Sequence, residues 1–167
     1  MHIEGRRTTP ASYKVNFYFS LHLQFTFYSR HPNSIKMGIL TVFLDKATNL
    51  KNEDTFGKSD PYVKFELEQD NLIFDHDMGE MKSTTKSGDL NPVYEEEFVF
   101  NIPTLENMVL HCKIMDEDII SDDKMGKCKI KLEELGLSAD PTPVSEKVYN
   151  RIFGKDSYVF LTIAYEE

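Results

Sequence analysis

The 167 residues include 12% aromatic and 28% charged side chains, the balance of one folded domain with a sizeable core rather than of a disordered segment. The net charge of −9 is uneven: residues 1–36 carry five bases and one acid (Glu4), whereas residues 37–167 carry 27 acids and 14 bases. So acidic a domain repels phosphate backbones, which argues against a nucleic-acid partner, and no run reaches the 18 apolar residues of a membrane-spanning helix.

Residues 1–36 stand apart from the remainder of the chain. "FYFSLHLQFTF" alternates apolar residues (Phe17, Phe19, Leu21, Leu23, Phe25, Phe27), as an extra edge strand would. A basic, nearly acid-free leader also has the composition of a transit or targeting segment. A third reading makes residues 1–36 a non-native extension and Met37 the true start; the charge step at Met37 favours it. Domain boundaries are therefore expected at 1–36 and 37–167.

From Met37 onward, period-two patterns dominate and turn residues separate them. "GILTVFL" (38–44) predicts a strand, followed by the polar stretch 45–59 and a second strand, "PYVKFEL". The acidic stretch 68–80 breaks the pattern, "MKSTTKS" predicts a thin polar strand, and "GDLNP" predicts a turn. "VYEEEFVFNI" and "NMVLHCKIM" come next, then "KCKIKL" leading into a helical turn at "EELGL". "PTP" (141–143) marks a loop, "VYNRIF" a short strand, and "SYVFLTIAY" the last strand. About eight strands with almost no helix and no βαβ alternation imply an all-β fold, an eight-stranded antiparallel β-sandwich.

Cys112 and Cys128 each lie in an alternating apolar run and in no CxxC pair. They are expected as reduced core thiols of a cytosolic protein rather than zinc ligands. The five histidines form no ligand pattern. Neither a Ser-His-Asp spacing nor a Gly-rich phosphate loop appears, so the chain reads as a non-enzyme.

The chemistry concentrates in two loops. "GKSDPYV" contains Asp60, with Asp54 six residues earlier. "MDEDIISDDKMG" (115–126) places Asp116, Glu117, Asp118, Asp122 and Asp123 around Ile119 and Ile120. Acids this close repel one another, and two loops of hard oxygen donors at one edge of a sandwich suit Ca²⁺. An EF-hand is excluded, because the sixth position from Asp116 is Ser121 instead of Gly and the twelfth is Lys127 instead of Glu. "EEE" at 95–97 is expected to be solvated. So is Asp75-His76-Asp77, with an accessory metal site as its minority reading.

"GILTVFLDKATNLKNEDTFGKSDPYVKFEL", "DLNPVYEEEFVF" and "KIMDEDIISDDKMGKCKIKL", in that order, resemble the C2 domain family across nearly all of 37–167. The resemblance implies a Greek-key sandwich that binds Ca²⁺ through loops at one end and docks on anionic phospholipid. By position it implies Asp54 and Asp60 as ligands from the first loop and Asp116, Asp118 and Asp123 from the third, helped by the carbonyls of Thr55 and Glu117. The third loop is one residue shorter than the family pattern before Gly126, so Asp122 is the alternative to Asp123. The strand order is similar to the permuted, type II form. Phe56, Ile119 and Ile120 take the positions of membrane-inserting tips, the alternative being small clusters folded back on the domain. "KSGDLNP" lacks the lysine cluster of phosphoinositide-binding members; Lys127, Lys129 and Lys131 share a strand face and are the candidates for headgroup contact, against a plain solvated face. The resulting expectation is a cytoplasmic module, recruited peripherally to membranes when calcium rises. The alternative is a C2 domain used for protein–protein contact, with structural calcium or none.

Overall fold

The computed structural model describes residues 36–54, 57–71, 75–150 and 155–167. The readings of residues 1–35, and the expectations for Thr55 and Phe56, lie outside the described residues. Strands β1 (Gly38–Thr48), β2 (Pro61–Gln69), β3 (His76–Lys82), β4 (Val93–Ile102), β5 (Met108–Asp116), β6 (Asp123–Lys131), β7 (Thr142–Val148) and β8 (Ser157–Glu166) are the eight strands among them. They pair antiparallel in two four-stranded sheets, β4-β1-β8-β7 and β3-β2-β5-β6. This is the expected all-β sandwich. The first described strand pairs with the last, which is the connectivity that the type II resemblance implies.

Alternation in the sequence becomes the two faces of each sheet. Val63, Phe65 and Leu67 of β2 point inward, as do Leu110, Cys112 and Ile114 of β5, and they meet Leu40, Val42 and Leu44 of β1 and Phe98 and Phe100 of β4. The Phe65 and Phe98 rings join the two sheets with centroids 4.9 Å apart. Cys112 and Cys128 are buried free thiols directly opposite each other on β5 and β6.

Two strands differ from expectation, and both lie at sheet edges. The polar strand expected over 81–87 is β3, His76–Lys82, which begins inside the acidic stretch expected to break the pattern and overlaps the expected strand only at Met81 and Lys82. An edge strand bonds to one neighbour only, so exposed acids and a glycine do not disqualify it. Gly79 takes φ +125° beside a register shift between Leu67 and Glu68. The strand expected at "VYNRIF" is β7, Thr142–Val148, which begins inside "PTP". Pro143 has no N–H to give, and β7 is the outer strand next to β8, where a missing donor is tolerated. The helical turn is a short 3₁₀ segment, Leu132–Leu135.

Candidate functional site

The sheets bring three loops to one end: 49–60 after β1, 83–92 after β3, and 117–122 between β5 and β6. Asp60, at the foot of β2, is the hub. Its carboxylate Oδ1 accepts hydrogen bonds from Gly88 N–H (2.6 Å) and Ser87 Oγ–H (2.9 Å), which ties the second loop to the first. Gly88 adopts φ +64°, a conformation glycine reaches without strain. The Asp60 N–H donates to Asp116 Oδ1 at 2.6 Å, and its carbonyl accepts the Glu117 N–H at 3.0 Å, which ties in the third loop.

Within the first loop, Asn52 and Ser59 form an inner frame. Asn52 donates to the carbonyls of Asp54 and Gly57, both at 3.1 Å, and accepts the Ser59 N–H at 2.8 Å. Ser59, wholly buried, accepts the Glu53 N–H at 2.9 Å. Sequence reasoning passed over both residues. Their signal was the turn-forming chemistry of Asn and Ser around "NEDTFGKS".

At the base of the third loop, Asp116 and Asp123 are directly opposite partners of β5 and β6. Like charges in that position destabilise a sheet. Asp116 is only 1% exposed, and its Oδ2 is shut off from solvent with no hydrogen-bond partner among the described residues. A buried carboxylate oxygen without a donor is costly, and a hard cation is the group that would satisfy it. Partial desolvation, then the charges of Asp116, Asp60 and Asp123, pushes the Asp54 carboxyl above its ordinary range. Asp118 is raised by the same first cause and then by Asp116, Asp54, Asp123 and Asp122. Glu53, absent from the sequence-based set, faces the same charges: burial, Asp123 and Asp116 raise it. The side chains of Asp54, Asp60, Asp116, Asp118 and Asp123 thus share one electrostatic environment. All offer oxygen, so the donor set fits Ca²⁺.

Asp122 behaves differently. It accepts Tyr62 Oη–H at 2.7 Å and the Asp118 N–H at 3.1 Å, and these bonds pull its carboxyl below the ordinary range. Burial and the bond to Asp122 push the Tyr62 phenol up to about 12, so it stays a donor. Glu117 is exposed at the start of the loop. At the apex, Ile119 (104%) and Ile120 (97%) are as exposed as free residues. They make no satellite cluster with the described residues.

Lys127, Lys129 and Lys131 are exposed on one face of β6, but Lys129 pairs with Asp70 (3.1 Å) and Lys131 with Glu134 (3.0 Å). A second basic feature was hidden from a linear reading. Lys82, Lys64, Lys113 and Lys127 stand in register across β3, β2, β5 and β6. Glu66 binds Lys64 (3.2 Å) and Lys113, and Glu80 binds Lys64 (2.8 Å), so the row is partly neutralised.

Asp75, His76 and Asp77 are exposed, as expected, but they do not form one group. Asp75 groups with Glu68 and Asp70, their oxygens within 4.8 Å of one another, and not with His76 and Asp77. That trio lies at the end of β2 remote from Asp60. Asp77 instead caps the Gly79 N–H at 2.8 Å. In "EEE", Glu95 and Glu97 are solvated, whereas Glu96 accepts the Thr84 N–H at 2.9 Å.

The family description "C2 domain" matches residues 38–150. Synaptotagmin-10 of Homo sapiens is 36% identical over 106 residues, which are 62% of this chain and 20% of the relative. Synaptotagmin-C of Diplobatis ommata is 40% identical over 96 residues, 56% of this chain and 17% of the relative. The chain thus spans about a fifth of the length of these curated relatives. Among solved structures, a C2 domain of plant extended synaptotagmin 1 superposes with a TM-score of 0.67 at 25% identity, covering 77% of this chain and 94% of that one. A calcium-bound structure of two C2 domains of extended synaptotagmin 2 gives 0.60 at 22% identity, over 87% and 48% of the two chains, and bears on the fold alone.

Proposed function

Because this chain belongs to the C2 domain family, we propose that it binds Ca²⁺ between its first and third loops and then docks on anionic phospholipid membranes. The observation that carries this reading is the buried Oδ2 of Asp116, without a hydrogen-bond partner among the described residues, at a loop end where carboxylates already repel one another. Asp54, Asp60, Asp116, Asp118 and Asp123 would hold the ion, with the carbonyls of Thr55 and Glu117 as further donors. Bound calcium supplies the positive charge that cancels the cluster's repulsion of anionic headgroups. The residues of the chain do the remainder. Asp60 fixes the three loop bases, Ile119 and Ile120 present apolar surface beyond the acids, and Phe56 is proposed to insert beside them. Lys127, with the register row of Lys82, Lys64 and Lys113, gives headgroups a basic row across the β3-β2-β5-β6 sheet, a few residues in from the loop end.

No helix among the described residues is long and apolar enough to cross a membrane. Recruitment is therefore proposed to be peripheral and reversible, from the cytoplasm, on a rise in calcium. The module acts by binding and not by catalysis. We assign residues 37–167 to it.

The test is calorimetric titration with Ca²⁺, followed by co-sedimentation with phosphatidylserine vesicles in calcium and in chelator. Calcium uptake with calcium-dependent sedimentation supports the reading. A chain that takes up no calcium removes it. The protein-contact alternative draws on a specific observation: Ile39, Val93 and Val99 stand exposed on the outer face of β1 and β4. Calcium uptake without vesicle binding would favour it.

A further inference from the structure

Asp122 stands among the acids but is held differently. Both of its oxygens are engaged, Oδ2 by Tyr62 Oη and Oδ1 by the Asp118 N–H. Tyr62 is a residue of β2, two positions beyond Asp60, and is 6% exposed. Lys82 of β3 lies over its ring, 5.3 Å from the centroid. A continuous path therefore runs from the framework of one sheet, through the phenol and the carboxylate, to the amide of Asp118. The base of the loop is tied separately, by Glu117 N–H to the Asp60 carbonyl and by Asp60 N–H to Asp116. Asp118 lies between these two ties.

We infer that Asp122 is a brace and not an ion ligand, and that the Tyr62–Asp122 hydrogen bond positions the third loop, holding Asp118 toward the cluster and Ile119-Ile120 outward. The inference rests on the calcium reading above and deepens it by separating ligands from support. Ion coordination by Asp122 would compete with two donors already in place, one of them from a packed strand residue. Asp123 has no such engagement with Tyr62, and it stands opposite Asp116. A six-residue loop (117–122) with two ties loses less conformational entropy when an ion arrives than a loop tied only at its base. The device is thus preorganisation of the site by a residue that never touches the ion.

The experiment uses the full chain, with Ca²⁺ alone as the titrant and calorimetry as the readout. Tyr62→Phe removes only the hydroxyl and should weaken calcium binding about tenfold, the loss of one hydrogen bond to a charged group. Asp122→Ala should weaken it by a similar factor, and the double variant by no more than the Asp122→Ala single, because both remove the same brace. Asp122→Asn, whose amide oxygen still accepts the Asp118 N–H and whose NH2 can donate to the Tyr62 oxygen in place of the original bond, should stay within a few-fold of the parent, whereas a ligand would lose most of its affinity with its charge. In chelator, exchange of the Asp118 amide hydrogen should speed up in Tyr62→Phe, a local readout that general destabilisation would not confine to this loop. Parent-like calcium affinity in Tyr62→Phe would overturn the inference while leaving the calcium reading intact. So would near-complete loss in Asp122→Asn. A parent that binds no calcium overturns both.

Discussion

Replacing Ile119 and Ile120 together with Ser isolates the apolar contribution to membrane docking. Both side chains are fully exposed and neither belongs to the core cluster, so the substitution opens no cavity. The thermal midpoint in chelator should therefore change little. Neither side chain can ligate an ion, so calcium affinity without lipid should match the parent. Docking is a different matter. Full transfer of an Ile side chain from water contributes roughly 1.5–3 kcal/mol, so two largely inserted groups should contribute on the order of 3 kcal/mol. That corresponds to about a hundredfold in vesicle affinity. The assay is co-sedimentation with phosphatidylserine vesicles at saturating calcium, repeated at high salt. Salt screens the headgroup attraction and leaves insertion untouched, so the parent should keep more of its binding than the Ser variant does. If the Ser variant binds calcium-loaded vesicles as tightly as the parent, the apex does not insert. The protein-contact reading then moves ahead.

Asp118→Asn should abolish or strongly weaken calcium binding yet raise the thermal midpoint in chelator, because it removes a carboxylate that partial desolvation and then its acidic neighbours hold above the ordinary range. The sign follows from linkage: a raised acid binds protons more readily in the folded state, so its penalty is full above the raised value and vanishes below the unfolded one. The midpoint gain over the parent should accordingly be present at neutral pH and disappear as pH falls through the carboxylate range. Gly126→Ala should destabilise by about 1–3 kcal/mol in denaturant unfolding, since an added Cβ would stand 2.5 Å from Val148 Cγ1; an unchanged midpoint would mean that β6 and β7 are less closely held than the structure has them. Residues 37–167 expressed alone should unfold with a midpoint close to that of the full chain, and insolubility would make "FYFSLHLQFTF" a structural strand.

The sandwich and its ligand candidates were legible because both rest on local signals. Alternation over β1, β2, β4, β5, β6 and β8 is strong in strands whose inner face packs in the core. It is weak in β3 and β7, edge strands that bring little to the core: β7 supplies Val144 and Val148, and β3 only the partly buried Met78 and Met81, so polar residues or Pro143 cost little there. Asp60, Asp116 and Asp118 stand out through the "SDPYV" and "DED" spacings. What joins them is not local. The pin from Asp60 to Ser87 and Gly88 spans 27 and 28 residues, and that from Tyr62 to Asp122 spans 60. No spacing rule announces such bonds. Nor could a linear reading find the lysine row, whose members come from four strands and meet only through register. Glu53 was missed for the opposite reason: beside Asp54 in a polar loop, it resembles any solvated acid until its neighbours from the third loop arrive.

The division of labour among these groups explains how a fold can carry a destabilising cluster and keep its shape. The loop bases are fixed partly through bonds that leave charge untouched: the Asp60 carbonyl, the Asn52–Ser59 frame, and the Lys127–Tyr149 backbone bridge beside Gly126. The repulsion falls on carboxylate oxygens of the loop end, from buried Asp116 out to Asp54 and Asp118, where its relief requires no movement of the strands. A calcium ion arriving there on the proposed reading changes the potential at the loop end far more than the backbone. The apolar apex is already turned outward in the protein itself. Docking would then be controlled by charge acting on a preformed surface, and its calcium dependence should weaken as acids are removed, even where the isoleucines are kept. A conformational switch would behave otherwise, since exposure of the apex would itself depend on the ion. Hydrogen exchange over residues 117–122, measured with and without calcium, separates the two: slower exchange confined to the loop, with β5 and β6 unaltered, belongs to the electrostatic device, and a change propagating into the strands belongs to the conformational one.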